Sequence, residues 1–167
     1  MMNEVAPFPG SQTVAEPVST LMRMTNFFSG FDSAEISILS NWVQALAFPA
    51  GTFILQEGYD DEGCLCVLLE GMVDIYRKTE PDKHLKIATI RPGETIGEMG
   101  VVDGQPFSAS VIATQDSVVL MIGRGDFDRL IEQHERIGVK LLRKIAVTIS
   151  TRLRKTTGRL ADLLANK

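Results

Sequence analysis

Between Gly51 and Ile122 the chain is built from apolar runs of five to seven residues separated by turn signals. Thr52–Gln56, Cys64–Glu70, Val73–Lys78, Leu85–Ile90, Ser108–Thr114 and Ser117–Ile122 read as strands, and Gly51, Gly58, Gly71, Gly93 and Gly104 fall near their ends. Short strands at regular spacing with glycine-bearing turns fold as a barrel or a sandwich. Glu70-Gly71-Met72 reads as a hairpin turn and Glu80-Pro81-Asp82-Lys83 as a second loop.

Helical periodicity brackets this segment. Residues 19–30, Ser19 to Gly30, read as a short helix that stops at a glycine. Asp32-Ser33-Ala34-Glu35 has the pattern of a capping box, with a carboxylate at the N-cap and a glutamate three residues later. Behind it Ile36, Leu39, Trp42, Val43 and Leu46 recur at helical spacing, and Phe48-Pro49-Ala50-Gly51 closes the segment. After Gly123-Arg124-Gly125, Asp126 is placed to cap a helix through Ile131. A longer helix then carries Val139, Leu142, Ala146, Ile149, Leu153, Thr156, Leu160 and Leu163 in alternating steps of three and four, a heptad seam with one polar intrusion. That seam runs about 36 Å at the helical rise, longer than a small barrel needs, so its far end is expected to pack on a second copy. A second stripe, Ile137, Leu141 and Ile145, is expected to dock on the barrel.

Charge divides the chain as the periodicity does. Residues 1–133 carry 8 Lys+Arg against 19 Asp+Glu, a net of −11, and residues 134–167 carry 9 against 2, a net of +7. Two readings stand: a solvated basic helix face attracted to the acidic body, or a surface for an anionic partner. Cys64 and Cys66 lie on one face of one strand, poor geometry for a disulfide, and His84 and His134 are the only histidines. Zinc is therefore not expected, and a reducing, cytoplasmic setting is. No run approaches the roughly 20 apolar residues of a membrane helix. Residues 1–18, with Pro7, Pro9, Gly10 and Pro17, read as a flexible tail ahead of a domain over 19–133 and the long helix of 134–167.

The chemistry concentrates in Gly97-Glu98-Met99-Gly100 and the loop that follows through Gly104, Pro106, Phe107, Ser108 and Ala109. Glycines let backbone N–H groups approach an anion closely. An ionised Glu98 is acceptor-only and suits a sugar hydroxyl, and Ser108 can donate to a phosphate oxygen. No Lys or Arg lies between Arg91 and Arg124. The acidic loop Asp60-Asp61-Glu62 reads as a solvated turn. No pairing of nucleophile and base is in view, so no enzyme is expected.

Over roughly residues 22–160 this order of pieces resembles the cyclic-nucleotide-binding domain family. The residues that carry the likeness are Phe48–Gly58, Leu65–Val73, Gly97–Gly100 with Pro106, Ser108 and Ala109, and Asp126-Phe127. The resemblance implies an α+β fold, an antiparallel β-roll flanked by N-terminal helices and a long C-terminal helix. It implies that Glu98 meets a ribose 2′-hydroxyl and that Ser108 lies beside the phosphate. Thr156-Thr157 is similar to the family's adenine-contacting pair, with Arg152 as a nearby cation. The family's phosphate-binding arginine falls at position 107, where this chain has Phe107.

A guanidinium clamps phosphate through two charge-assisted hydrogen bonds. Removing one partner of such a buried pair costs about 2–5 kcal/mol, roughly 30- to 4000-fold in affinity. Three alternatives stay open: the domain has lost cyclic AMP and is a fixed interaction module; it takes a different nucleotide, such as a cyclic dinucleotide, with Phe107 stacking on a base or lining an apolar site; or it binds cyclic AMP weakly through backbone N–H groups alone. The cofactor expected is thus a cyclic nucleotide (cyclic AMP, cyclic GMP or a cyclic dinucleotide) or none. DNA-binding members of the family continue into a helix-turn-helix, for which residues up to Lys167 leave no sequence, so specific DNA binding is not expected. The expectation is a cytoplasmic, homodimeric regulatory module that signals through its C-terminal helix to a protein partner. The alternative is a truncated transcription regulator acting by heterodimerisation.

Overall fold

The computed structural model describes residues 8–58, 63–80 and 83–166; the Asp60-Asp61-Glu62 loop and the Pro81-Asp82 pair lie outside the described residues. Within them two sheets face each other. One has the order β1 (Gln12–Thr13), β2 (Gln44–Phe48), β9 (Ser117–Gly123), β4 (Cys64–Glu70), β7 (Thr95–Ile96). The other has the order β3 (Phe53–Leu55), β8 (Ser110–Ala113), β5 (Val73–Glu80), β6 (Lys83–Ile90). Every pairing is antiparallel.

The continuous apolar run of β4 has a direct cause: both of its faces are buried. Cys64, Cys66 and Leu68 enter the core between the sheets, with Val119 and Met121 of β9. Leu65 and Val67, with Leu120 and Ile122 of β9, enter a second core beneath the helices. These are α1 (Val18–Arg23), a 3-10 turn at Asn26–Phe28, α2 (Ser33–Leu39), α4 (Arg124–Gln133) and the first turns of α5 (Glu135–Ala165); α3 (Glu98–Asp103) lies within the roll. The result is the antiparallel β-roll with flanking helices that the family resemblance implies.

Several local expectations need correcting. Gln12–Thr13, in the stretch expected to be a tail, pairs with β2; a strand of two polar residues leaves no period to read. The helix expected beyond Leu39 stops there, and Gln44–Phe48 is a strand bonded to β9; buried on both faces, its apolar residues satisfy either period. Residues 19–30 split into α1 and the 3-10 turn. Glu70-Gly71-Met72 is not a hairpin: β4 pairs with β7 and β9, while β5 pairs with β6 and β8, so the turn crosses between sheets. Gly123, not Asp126, occupies the N-cap of α4.

The capping box forms as read. Glu35 N–H donates to Asp32 Oδ1 and Asp32 N–H to Glu35 Oε2, both at 2.9 Å. Lys140 of α5 then reaches Glu35 at 2.6 Å and ties the two helices together. The α4–α5 corner closes over Gly138, where a Cβ would come within 3.0 Å of the Ile131 Cα. Ile137, Leu141 and Ile145 are buried against the roll. The heptad seam is not: Val139, Leu153, Leu160 and Leu163 are more than half exposed. α5 has 31 residues, about 46 Å of helix.

Candidate functional site in the roll

The segment expected to cradle an anion is a turn and a short helix. Gly97 sits at the N-cap of α3 with φ +80°, where a Cβ would fall 2.1 Å from the Cys64 carbonyl oxygen of β4, so only glycine fits. That turn drives Glu98 inward, to 5 % exposure.

Glu98 is fully engaged. Its Oε1 accepts from the Arg152 guanidinium, and its Oε2 accepts from the Thr95 hydroxyl at 3.4 Å. The same guanidinium donates to the Thr95 carbonyl. Arg152 is on α5, so the cation missing from the loop arrives from the helix 54 residues away. A carboxylate this buried needs such a partner, and the pair fastens α5 to the roll.

Phe107 occupies the other side of the segment. Its side chain is 8 % exposed and belongs to the core between the sheets, with Cys66, Ile96 and Val111. Gly100 lies over the ring: a Cβ there would meet it at 3.8 Å. The Phe107 carbonyl accepts the Gly58 N–H at 2.9 Å and anchors the loop to the β3 end. At the position where the resemblance puts a guanidinium, the interior is filled with an apolar ring.

Cys64 and Cys66 share the inward face of β4 with their sulfurs 3.6 Å apart. The hydrogen bond with Cys64, burial, and the nearby charge of Glu98 all push the Cys66 thiol well above its usual range, so it stays protonated.

The other expected site residues divide. Ala109 is half-buried, while Pro106, Ser108 and the Met99 side chain are exposed. Thr156 and Thr157 are exposed on α5, about one turn beyond Arg152. Two residues were missed. Thr95 supplies both a hydroxyl and a carbonyl to the Glu98–Arg152 pair, and its signal was its place three residues ahead of the glutamate. Ser110 is buried, and its hydroxyl accepts the Glu57 N–H at 3.0 Å, so it stabilises the turn beside the loop.

The family model for the cyclic nucleotide-binding domain matches residues 45–134. The chain is 25 % identical over 144 residues to a CRP-like cAMP-activated global transcriptional regulator of Mycobacterium tuberculosis, covering 86 % of this chain and 62 % of that protein. It is 28 % identical over 144 residues to the cyclic AMP receptor protein of Thermus thermophilus, covering 86 % and 64 %. The chain thus spans less than two thirds of the length of these relatives. A solved cyclic nucleotide-binding domain from Methylobacillus flagellatus superposes with a TM-score of 0.79 at 24 % identity, over 93 % of this chain and 90 % of that one. With the matched span running from β2 to the end of α4 and the roll present in full, the chain belongs to the cyclic nucleotide-binding domain family.

Proposed function

We propose that this protein is a regulatory module in which the state of the roll is carried to a protein partner by α5, and that it does not take cyclic AMP in the manner that the family resemblance implies for an arginine at position 107. The observation that carries this is the exchange of positions in the site. Phe107 fills the roll interior, and the cation that reaches Glu98 comes from α5.

A ligand that brings a ribose hydroxyl to Glu98 Oε1 competes with Arg152 for that oxygen. Displacing the guanidinium releases one of the ties between α5 and the roll, so ligand arrival and helix release become one event. The hinge through which the start of α5 would adjust is placed at about 123–133, the stretch that holds α4 (Arg124–Gln133). With no guanidinium at position 107 to clamp a phosphate, any ligand of the roll is expected to be a non-standard nucleotide, such as a cyclic dinucleotide, rather than cyclic AMP. The exposed leucine seam supports homodimerisation through α5; the same seam would serve heterodimerisation with a longer relative.

Calorimetry of the wild-type chain against cyclic AMP, cyclic GMP and cyclic dinucleotides tests the reading. Weak or absent heat with cyclic AMP is expected, and any ligand that does bind is expected to bind more tightly to Arg152→Ala, where Glu98 is free. Saturable micromolar binding of cyclic AMP to the wild type would overturn it.

A further inference from the structure

A concavity whose lining includes neither Glu98 nor Arg152 opens between the 3-10 turn and two turns of α5. It measures about 430 Å³, within the range of natural binding clefts. Its apolar wall is Phe27, Phe31 and Val147, and its cations are Lys140, Arg143 and Lys144.

The cations are not equivalent. Lys140 is committed, with Glu35 at 2.6 Å and the Gly30 carbonyl at 2.9 Å. Among the described residues neither Arg143 nor Lys144 meets a carboxylate. The Lys144 ammonium has only the Ser29 hydroxyl at 3.5 Å and the Phe27 ring at 5.9 Å. Burial holds its pKa below the ordinary lysine value. A cation drawn partly out of water with no counter-ion is a cost that a carboxylate would relieve.

Position on the helix matters as well. At about 100° per residue, Lys140, Lys144 and Val147 lie roughly 120–180° around α5 from Leu142, Leu153 and Leu160, and Arg143 roughly 80–100° from them, at the edge of the flank. A second copy seated on the leucine seam would leave this flank open. Val147 is 59 % exposed there, an apolar side chain beside unneutralised charge.

We infer that this cleft is a docking site for an acidic segment of a partner protein, which seats an apolar side chain against Phe27, Phe31 and Val147 and sets carboxylates on Arg143 and Lys144. Charge complementarity selects the occupant. The last 34 residues carry a net charge of +7, while residues 1–133 carry −11. The acidic body repels a long polyanion such as duplex DNA but leaves a short acidic peptide free to reach the helix. The inference names the partner's chemistry for the output that the proposed function gives to α5, and it can be tested with no nucleotide present.

The test is fluorescence anisotropy with the full chain and a labelled peptide that alternates aspartate or glutamate with phenylalanine or leucine. The control peptide carries asparagine and glutamine in place of the acids. Saturable binding of the acidic peptide is expected, weakening with salt and falling about tenfold or more in Arg143→Gln/Lys144→Gln and in Val147→Asp. The assay contains no nucleotide, so its outcome is independent of which ligand, if any, the roll takes. The substituted residues are not in the buried core, and unchanged thermal melting would confirm that each variant is folded. No binding, equal binding of the control peptide, binding indifferent to these substitutions, or displacement by duplex DNA at matched charge would each overturn the inference.

Discussion

At the scale of single residues the site turns on three side chains. Glu98 is forced inward by the left-handed Gly97, Arg152 neutralises it, and Phe107 removes the space a phosphate clamp would need. Removing Arg152 strands the carboxylate. A fully buried pair would cost about 3–5 kcal/mol to break this way, but the Arg152 side chain is 34 % exposed. Arg152→Ala is therefore expected to lower the unfolding free energy by about 1–3 kcal/mol in urea denaturation. Glu98→Gln in the same chain should recover part of the loss, because it deletes the stranded charge. An unchanged midpoint in Arg152→Ala would show that the pair holds nothing.

At the scale of elements, legibility followed the number of buried faces. β4 and β9 were readable because length and turn signals mark them as strands once both faces are apolar. β2 was misread for the same reason: Leu46 continues the helical spacing of Leu39, Trp42 and Val43, yet it sits beside Ala45 in a strand covered on both sides. β1 and β7, of two residues each, are too short for any period to register, and α3 was read as loop because two of its six residues are charged and one is glycine. The α2 capping box was legible because its hydrogen bonds are local. What no local pattern could show is that Glu35 also receives Lys140 and that Asp74 on β5 receives Lys86 from β6.

Those contacts set the acid side of the stability profile. The Glu35 backbone N–H holds the Asp32 carboxyl below the usual range, Lys140 does the same to Glu35, and Lys86 to Asp74. A depressed carboxylate contributes its stability in full above its unfolded pKa of about 4 and loses it as pH falls through the lower folded value. The urea midpoint is thus expected to vary little from about pH 7 to about pH 5 and to fall below about pH 4, less steeply in Lys86→Met. An acid limb identical in Lys86→Met and wild type would remove Asp74 from the account.

At the scale of the whole molecule, α5 is the element that reaches out of the domain. Its first turns bury Ile137, Leu141 and Ile145, its middle reaches Glu98, and its far half exposes leucines. The heptad was legible in the sequence, and so was the division between a docked stripe and a free one. Sedimentation velocity is expected to show a dimer for the wild type at micromolar concentration and a monomer for Leu153→Glu. Two monomeric species, or two dimeric ones, would end the seam reading. The Arg152–Glu98 contact was not legible as a contact, since nothing local ties residue 152 to a turn 54 positions earlier.

The central claim is that an aromatic ring at position 107 closes the roll to cyclic AMP. Titrating cyclic AMP into the wild type and into Phe107→Arg by calorimetry tests it most directly. The account predicts that the arginine variant gains at least about thirtyfold in affinity, the low end of what one buried phosphate contact supplies. Equal, tight binding by both proteins would contradict it.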